Sequence, residues 1–155
     1  MISLSRTTCS EEATSLLAAS LALQCQIGDC ILLNGDLGAG KTAFARGFIR
    51  ALAVDSVEIV SPTFNLVQTY PVAGGMVWHF DLYRLKEAAE IEEIGLGEAL
   101  QTGISLIEWP ELARNFISPD ALEVTLSAGH SPNERVIAFS GLPVVWQDRL
   151  SQLKT

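Results

Sequence analysis

The chain has 155 residues and carries ten Lys and Arg against eighteen Asp and Glu, a formal charge of −8. That length leaves room for one domain, 1–155, and 48% hydrophobic against 18% charged residues excludes a disordered chain. The acidic balance argues against direct nucleic-acid binding, which needs clustered Lys and Arg to meet phosphates. Three cysteines (Cys9, Cys25, Cys30) without a CxxC spacing point to reduced thiols and a cytoplasmic protein. The apolar-rich segment 13–25 follows Glu11 and Glu12 and falls short of the roughly 20 residues that span a bilayer, so neither a leader nor a membrane anchor is expected.

Thr8-Cys9-Ser10-Glu11 fits a capping box and predicts a helix over about 10–25, with Leu16, Leu17 and Leu21 on one stripe. Cys30-Ile31-Leu32-Leu33-Asn34 is an unbroken apolar run, the pattern of a strand buried on both faces. A Gly-rich turn at 35–40 precedes a helix from Lys41 to about Leu52. Val57–Val60 predicts a short strand stopped by Ser61-Pro62. Residues 64–70 and 76–83 predict a hairpin through Pro71 and Gly74-Gly75. Met76, Trp78, Phe80 and Leu82 then share one face, and Val77, His79, Asp81 and Tyr83 the other.

Residues 86–94 read as a short acidic helix ended near Gly95, and Ile104–Trp109 as a second buried strand closed by Pro110. Residues 121–127 and 135–140 alternate as strands do, and a last helix over about 143–153 stripes Trp146, Leu150 and Leu153. The expected fold is α/β: a single P-loop NTPase-type domain. Its sheet is mixed and mostly parallel, with helices on both faces and antiparallel hairpin additions.

Gly35-Asp36-Leu37-Gly38-Ala39-Gly40-Lys41-Thr42 matches G-x-x-x-x-G-K-[ST] at every fixed position. The glycines let consecutive N–H groups turn inward on a phosphate, and the following helix directs its positive end at the same anion. In this motif Lys41 reaches the β- and γ-phosphates, and the Thr42 hydroxyl ligates Mg²⁺. Such a loop also needs an acid on a neighbouring strand for the metal or the attacking water. Glu108 ends an apolar run, where such an acid belongs; otherwise it is a surface acid at a strand end. Asp81 is the other candidate, or else a hairpin surface residue.

Ser61-Pro62-Thr63-Phe64 lies where a phosphate-sensing switch would sit, and Thr63 is either that sensor or part of a rigid Pro loop. His79 is either a water-orienting or metal-binding group or a structural hydrogen-bonding residue. A guanine-specifying Asn-Lys-x-Asp segment does not occur, which favours ATP. Past Lys86 the basic residues are isolated, so no basic lid supports a kinase acting on a small metabolite, the alternative reading. No arginine stands at a motif position that would serve the phosphates in cis, so slow hydrolysis is expected of the protein alone.

Taken with Phe44, Arg46-Gly47-Phe48, His79-Phe80-Asp81-Leu82-Tyr83-Arg84-Leu85, Glu93-Ile94-Gly95 and Ile107-Glu108-Trp109-Pro110, these segments resemble the TsaE (YjeE) family over about residues 8–112. That family comprises small bacterial P-loop ATPases of tRNA threonylcarbamoyladenosine synthesis. The resemblance implies that ATP and Mg²⁺ are held by Gly38, Ala39, Gly40, Lys41 and Thr42; Leu37 of the same loop and Thr63 are expected beside the nucleotide, and Trp109 is expected within reach of the phosphates because it directly follows Glu108. It implies that Glu108 and Asp81 serve the metal and the attacking water together with Thr42. Glu11 would lie by the nucleotide, or would simply cap its helix. It also implies a protein, monomeric by itself, that acts with TsaB and TsaD rather than on tRNA directly.

Overall fold

Cys30–Asn34 (β2) lies at the middle of a seven-stranded sheet because its side chains alternate between two apolar layers. Ile31 and Leu33 enter one core, while Cys30 and Leu32 enter the other. The computed structural model describes residues 1–154. The remaining strands are β1 (Ile2–Thr8), β3 (Val67–Val72), β4 (Gly75–Asp81), β5 (Gly103–Glu108), β6 (Leu122–Ala128) and β7 (Arg135–Gly141). Their spatial order is β1-β7-β6-β2-β5-β4-β3. The four strands β6, β2, β5 and β4 are parallel neighbours, and β7 and β3 run against them. β1 is antiparallel to β7 and so shares the direction of the central four. The sheet is therefore mixed and mostly parallel, as expected.

Helices α1 (Glu11–Ala22) and α2 (Lys41–Leu52) cover one face together with α5 (Pro143–Ser151). Leu17, Leu21, Phe44, Phe48, Trp146 and Leu150 form that core with Ile31, Leu33 and Val124. On the other face lie α3 (Glu90–Glu93), α4 (Leu96–Thr102) and a 3₁₀ segment, Pro110–Phe116. Their Ile91, Leu96 and Ala113 pack on Phe80 and Ile107. Pro71 is tolerated inside β3 because β3 is an edge strand and loses no ladder donor that a neighbour needs.

Several local expectations change. Val57–Val60 forms no strand; the Tyr70 hydroxyl accepts from the Val60 N–H (3.0 Å) and donates to its carbonyl (3.3 Å), replacing a ladder. In α1 the N-cap is Ser10, which accepts from the Ala13 N–H, while Thr8 ends β1 and its hydroxyl pairs with that of Thr14. The buried stripe of α1 is Thr14, Leu17, Ala18, Leu21 and Ala22; Leu16 is exposed and the helix ends before residue 25. The acidic helix is confined to Glu90–Glu93, and β1, α4 and the 3₁₀ segment are elements that the sequence reading did not contain.

The rotation of α1 has a cause in α2. A Cβ on Gly47 would stand 2.3 Å from the Ser15 carbonyl oxygen, so the two helices meet backbone to backbone there. The Ser15 hydroxyl donates to the Ala43 carbonyl at 3.1 Å across the same contact. Gly47→Ala should destabilise the domain by about 1–3 kcal/mol, since forced separation of packed helices outweighs the gain in helix propensity. Urea unfolding measures this; a variant as stable as the parent would show that the helices part freely.

Candidate functional site

The site is built at the carboxyl ends of the parallel strands, where β2 runs into the Gly-rich loop and then α2. Gly35 cannot carry a side chain, because a Cβ would meet the Leu126 carbonyl oxygen at 2.6 Å. Gly40 caps α2 with a φ of 101°, a left-handed conformation that a side chain would strain. β6 is parallel to β2 and ends beside it, so the loop after β6 returns next to the Gly-rich turn. β5 and β4 end on the other side, with Glu108 directly opposite Asp81 in the ladder.

These ends enclose a cavity of about 390 Å³. Glu11, Leu37, Gly38, Gly40, Lys41, Thr42, Thr63, Asp81, Glu108 and Trp109 all line it. Ala39 does not; it lines the adjoining cleft between the Gly-rich loop and residues 125–132. The cavity also takes in Thr14, Ser61, Asn133 and Arg135, which the sequence reading did not place there. Arg135 opens β7 and its Nη2 donates to the Gly38 carbonyl at 3.4 Å, so an arginine does stand in cis beside the loop. Its signal was positional only: it closes the turn that follows a strand paired parallel to β2.

Lys41 is buried at the start of α2, its Nζ donating to the Gly35 carbonyl and lying 3.6 Å from the centroid of the Trp109 ring. Burial lowers its pKa from the usual lysine value, while Glu108, Asp81, Glu111 and Asp36 pull it back up. Trp109 holds a φ of 55°, rare for a bulky residue, and its ring packs on Tyr83 with centroids 4.9 Å apart.

The Asp81 carboxylate is occupied at both oxygens. Oδ1 accepts from the Tyr83 N–H at 3.0 Å and Oδ2 from the Thr63 hydroxyl at 3.3 Å, which in turn pairs with Ser61. Glu108 is buried; its Oε2 accepts from His79 Nε2 at 2.7 Å, and Oε1 has no protein partner among the described residues. His79 thus has a hydrogen-bonding role. The oxygen donors of Thr42, Asp81 and Glu108 suit Mg²⁺, which is usually bound by one or two carboxylates and otherwise by water and substrate phosphate. No cluster of three or more His, Cys, Asp or Glu that could hold a metal occurs among the described residues.

The contact of Lys41 with Trp109 makes the indole a reporter. Titration with ADP should change tryptophan fluorescence, and Trp109→Phe should abolish the change. A signal that persists in Trp109→Phe would separate Trp109 from the nucleotide. The lowered pKa of Lys41 adds a sign: nucleotide affinity should fall as pH rises, beginning below the ordinary lysine range, because the neutral amine attracts phosphate less. Affinity that stays flat up to the ordinary range would exclude Lys41 as the titrating group.

The family model described as "Threonylcarbamoyl adenosine biosynthesis protein TsaE" matches residues 8–137. The tRNA threonylcarbamoyladenosine biosynthesis protein TsaE of Rickettsia conorii is 48% identical over 119 residues, 77% of this chain and 68% of that protein. The protein of that name from Bacillus subtilis is 32% identical over 136 residues, 87% of this chain and 84% of its own. The crystal structure of Bacillus subtilis YdiB superposes with a TM-score of 0.79 at 26% identity, covering 97% of this chain and 93% of that one. With one family model over residues 8–137 and relatives of one name over most of its length, this chain belongs to the TsaE family of threonylcarbamoyl adenosine biosynthesis proteins.

Proposed function

We infer that the protein binds ATP with Mg²⁺ through the Gly-rich loop and hydrolyses it; the expectation of slow hydrolysis rests on the absence of an arginine in cis and loses that ground with Arg135 in the cavity. In this reading hydrolysis serves formation of the threonylcarbamoyl group on tRNA adenosine, and the protein acts with TsaB and TsaD rather than on tRNA directly. The observation that carries the ATPase reading is the convergence of Lys41, Thr42, Asp81 and Glu108 on one cavity. No helix among the described residues is long and apolar enough to cross a membrane. A charge of −8 suits contact with a protein better than with tRNA.

The division of labour follows from the side chains. Backbone N–H groups of residues 38–42 and the Lys41 ammonium hold the phosphates in place. The Glu108 carboxylate orients the attacking water and accepts its proton as the γ-phosphoryl group leaves. Thr42 and Asp81 are the further oxygen ligands for Mg²⁺, which when bound neutralises charge that develops on the phosphate oxygens. Thr63, bonded to Asp81, couples the 61–64 loop to the same centre. Arg135 adds a second cationic side chain beside the loop. With Lys41 and Arg135 the only cationic side chains among the described residues lining the cavity, phosphoryl transfer to a metabolite lacks a basic lid.

Glu108→Gln keeps the side-chain shape and removes its charge, so turnover should fall at least ~10²-fold while nucleotide binding survives. Lys41→Ala and Thr42→Ala should each abolish turnover with an unchanged circular dichroism spectrum. Parental turnover in Lys41→Ala would remove the Gly-rich loop as the site of hydrolysis, parental turnover in Glu108→Gln would remove Glu108 from it, and a parent without turnover would remove the ATPase assignment. Pull-down from lysate with and without ATP tests the partners separately: recovery of TsaB and TsaD supports the pathway reading, and their absence in both conditions sinks it.

A further inference from the structure

We propose that His79 is a positioning residue for the Glu108 carboxylate, fixing Oε2 so that Oε1 alone is presented for water or metal; this rests on the ATPase reading above. β4 carries Val77, His79 and Asp81 along the face that β5 shares through Ile104, Leu106 and Glu108. In that register His79 lies opposite Leu106 and reaches one pleat forward, diagonally, to Glu108. The bond is 2.7 Å long, and the two side chains are only 3% and 8% exposed.

Two observations show that this bond does more than fill the core. First, His79 Nδ1 is buried and has no hydrogen-bond partner among the described residues. An apolar side chain of similar size would leave no polar atom unpaired, so what the imidazole adds at this position is the single bond to Glu108. Second, Lys41 lies within the electrostatic reach of both Glu108 and Asp81, yet forms an ion pair with neither. A glutamate has three rotatable bonds and would otherwise be free to collapse onto the lysine. A Lys41–Glu108 pair would occupy the two groups that must face phosphate and water. The His79 N–H holds the carboxylate back on the strand side and prevents that pairing. Hydrogen bonds from a second residue to a ligating carboxylate serve the same end in metal sites generally.

The test uses the intact chain with Mn²⁺ replacing Mg²⁺, so that metal affinity in the ATP complex is read by electron paramagnetic resonance alongside turnover. His79→Met removes the donor at similar volume, and His79→Gln keeps an N–H donor near the Nε2 position. His79→Met should weaken Mn²⁺ binding or turnover by about 10–100-fold, and His79→Gln should restore most of the loss. In a Glu108→Gln background His79→Met should add nothing, because its effect passes through Glu108. A purely structural histidine would give the same loss in both backgrounds, which overturns the inference, as does a His79→Met protein that matches the parent. Should His79→Met fail to fold, His79→Asn replaces it: its amide falls near Nδ1, so it should lose what His79→Gln keeps. Equal behaviour of the two amides overturns the inference. Parental protein that binds no Mn·ATP removes the ATPase reading and this inference with it, an outcome distinct from insensitivity of the variants alone.

Discussion

Asp81 and Glu108 face each other as the last pair of the β4–β5 ladder, and that parallel register organises the site. In a parallel pair neighbouring strands end at the same side of the sheet, and β2 and β6 end there too. The turn after β2, the acids ending β4 and β5, and the loop after β6 are therefore brought together without any one of them being long. The ladder continues for one further bond, from the Leu82 N–H to the Glu108 carbonyl at 3.1 Å, which fixes the backbone on both sides of the acids. Two apolar layers hold the register. A slip of one residue would exchange Leu106 for Ile107 between the two cores and turn Glu108 away from the cavity.

Burial and charge pull against each other at this end of the sheet. Lys41, His79, Asp81 and Glu108 are all buried, and each carries or contacts charge. Each has a specific partner: Gly35 and Trp109 for Lys41, Glu108 for His79, Thr63 and Tyr83 for Asp81. The cysteines behave differently. Cys30 is buried in the sheet, and its thiol is pushed up to about 12 by burial, with Glu123 and Asp29 adding to it; that makes it a packing group rather than a nucleophile. Cys25 is shifted upward for the same first reason.

What could be read from the chain was what depends on local spacing. The Gly-rich loop is a pattern of fixed intervals, so that Gly38, Gly40, Lys41 and Thr42 share one cavity was legible from spacing alone. Strands buried on both faces announce themselves as apolar runs, which located Glu108 at a strand end. Asp81 and His79 were placed on one face by alternation, yet the diagonal bond from His79 to Glu108 depends on a register between strands that spacing does not carry. Arg135 was illegible for a similar reason, since its bond to Gly38 spans 97 residues of sequence. β1 went unread because Ile2 and Leu4 give only a brief alternation, and its stability comes from pairing along β7. Val57–Val60 misled in the opposite direction: its β-branched residues suggested a strand, but it pairs with none, and the last residue, Val60, has both its N–H and its carbonyl bonded to the Tyr70 hydroxyl instead.

The resting position of Lys41 makes ligand capture an exchange rather than an addition. Its ammonium already has a carbonyl oxygen on one side and an indole face on the other, both supplied by the chain itself. Under the proposed function an incoming polyphosphate would compete with these internal substitutes, and only the difference between the two sets of contacts would appear as affinity. When phosphate leaves, the same contacts reform and receive the charge, so departure does not strand a bare ammonium in a desolvated pocket. The loop is in this sense self-liganded: it would give up some tightness of grip and gain ease of release, a balance suited to the ATP hydrolysis proposed above.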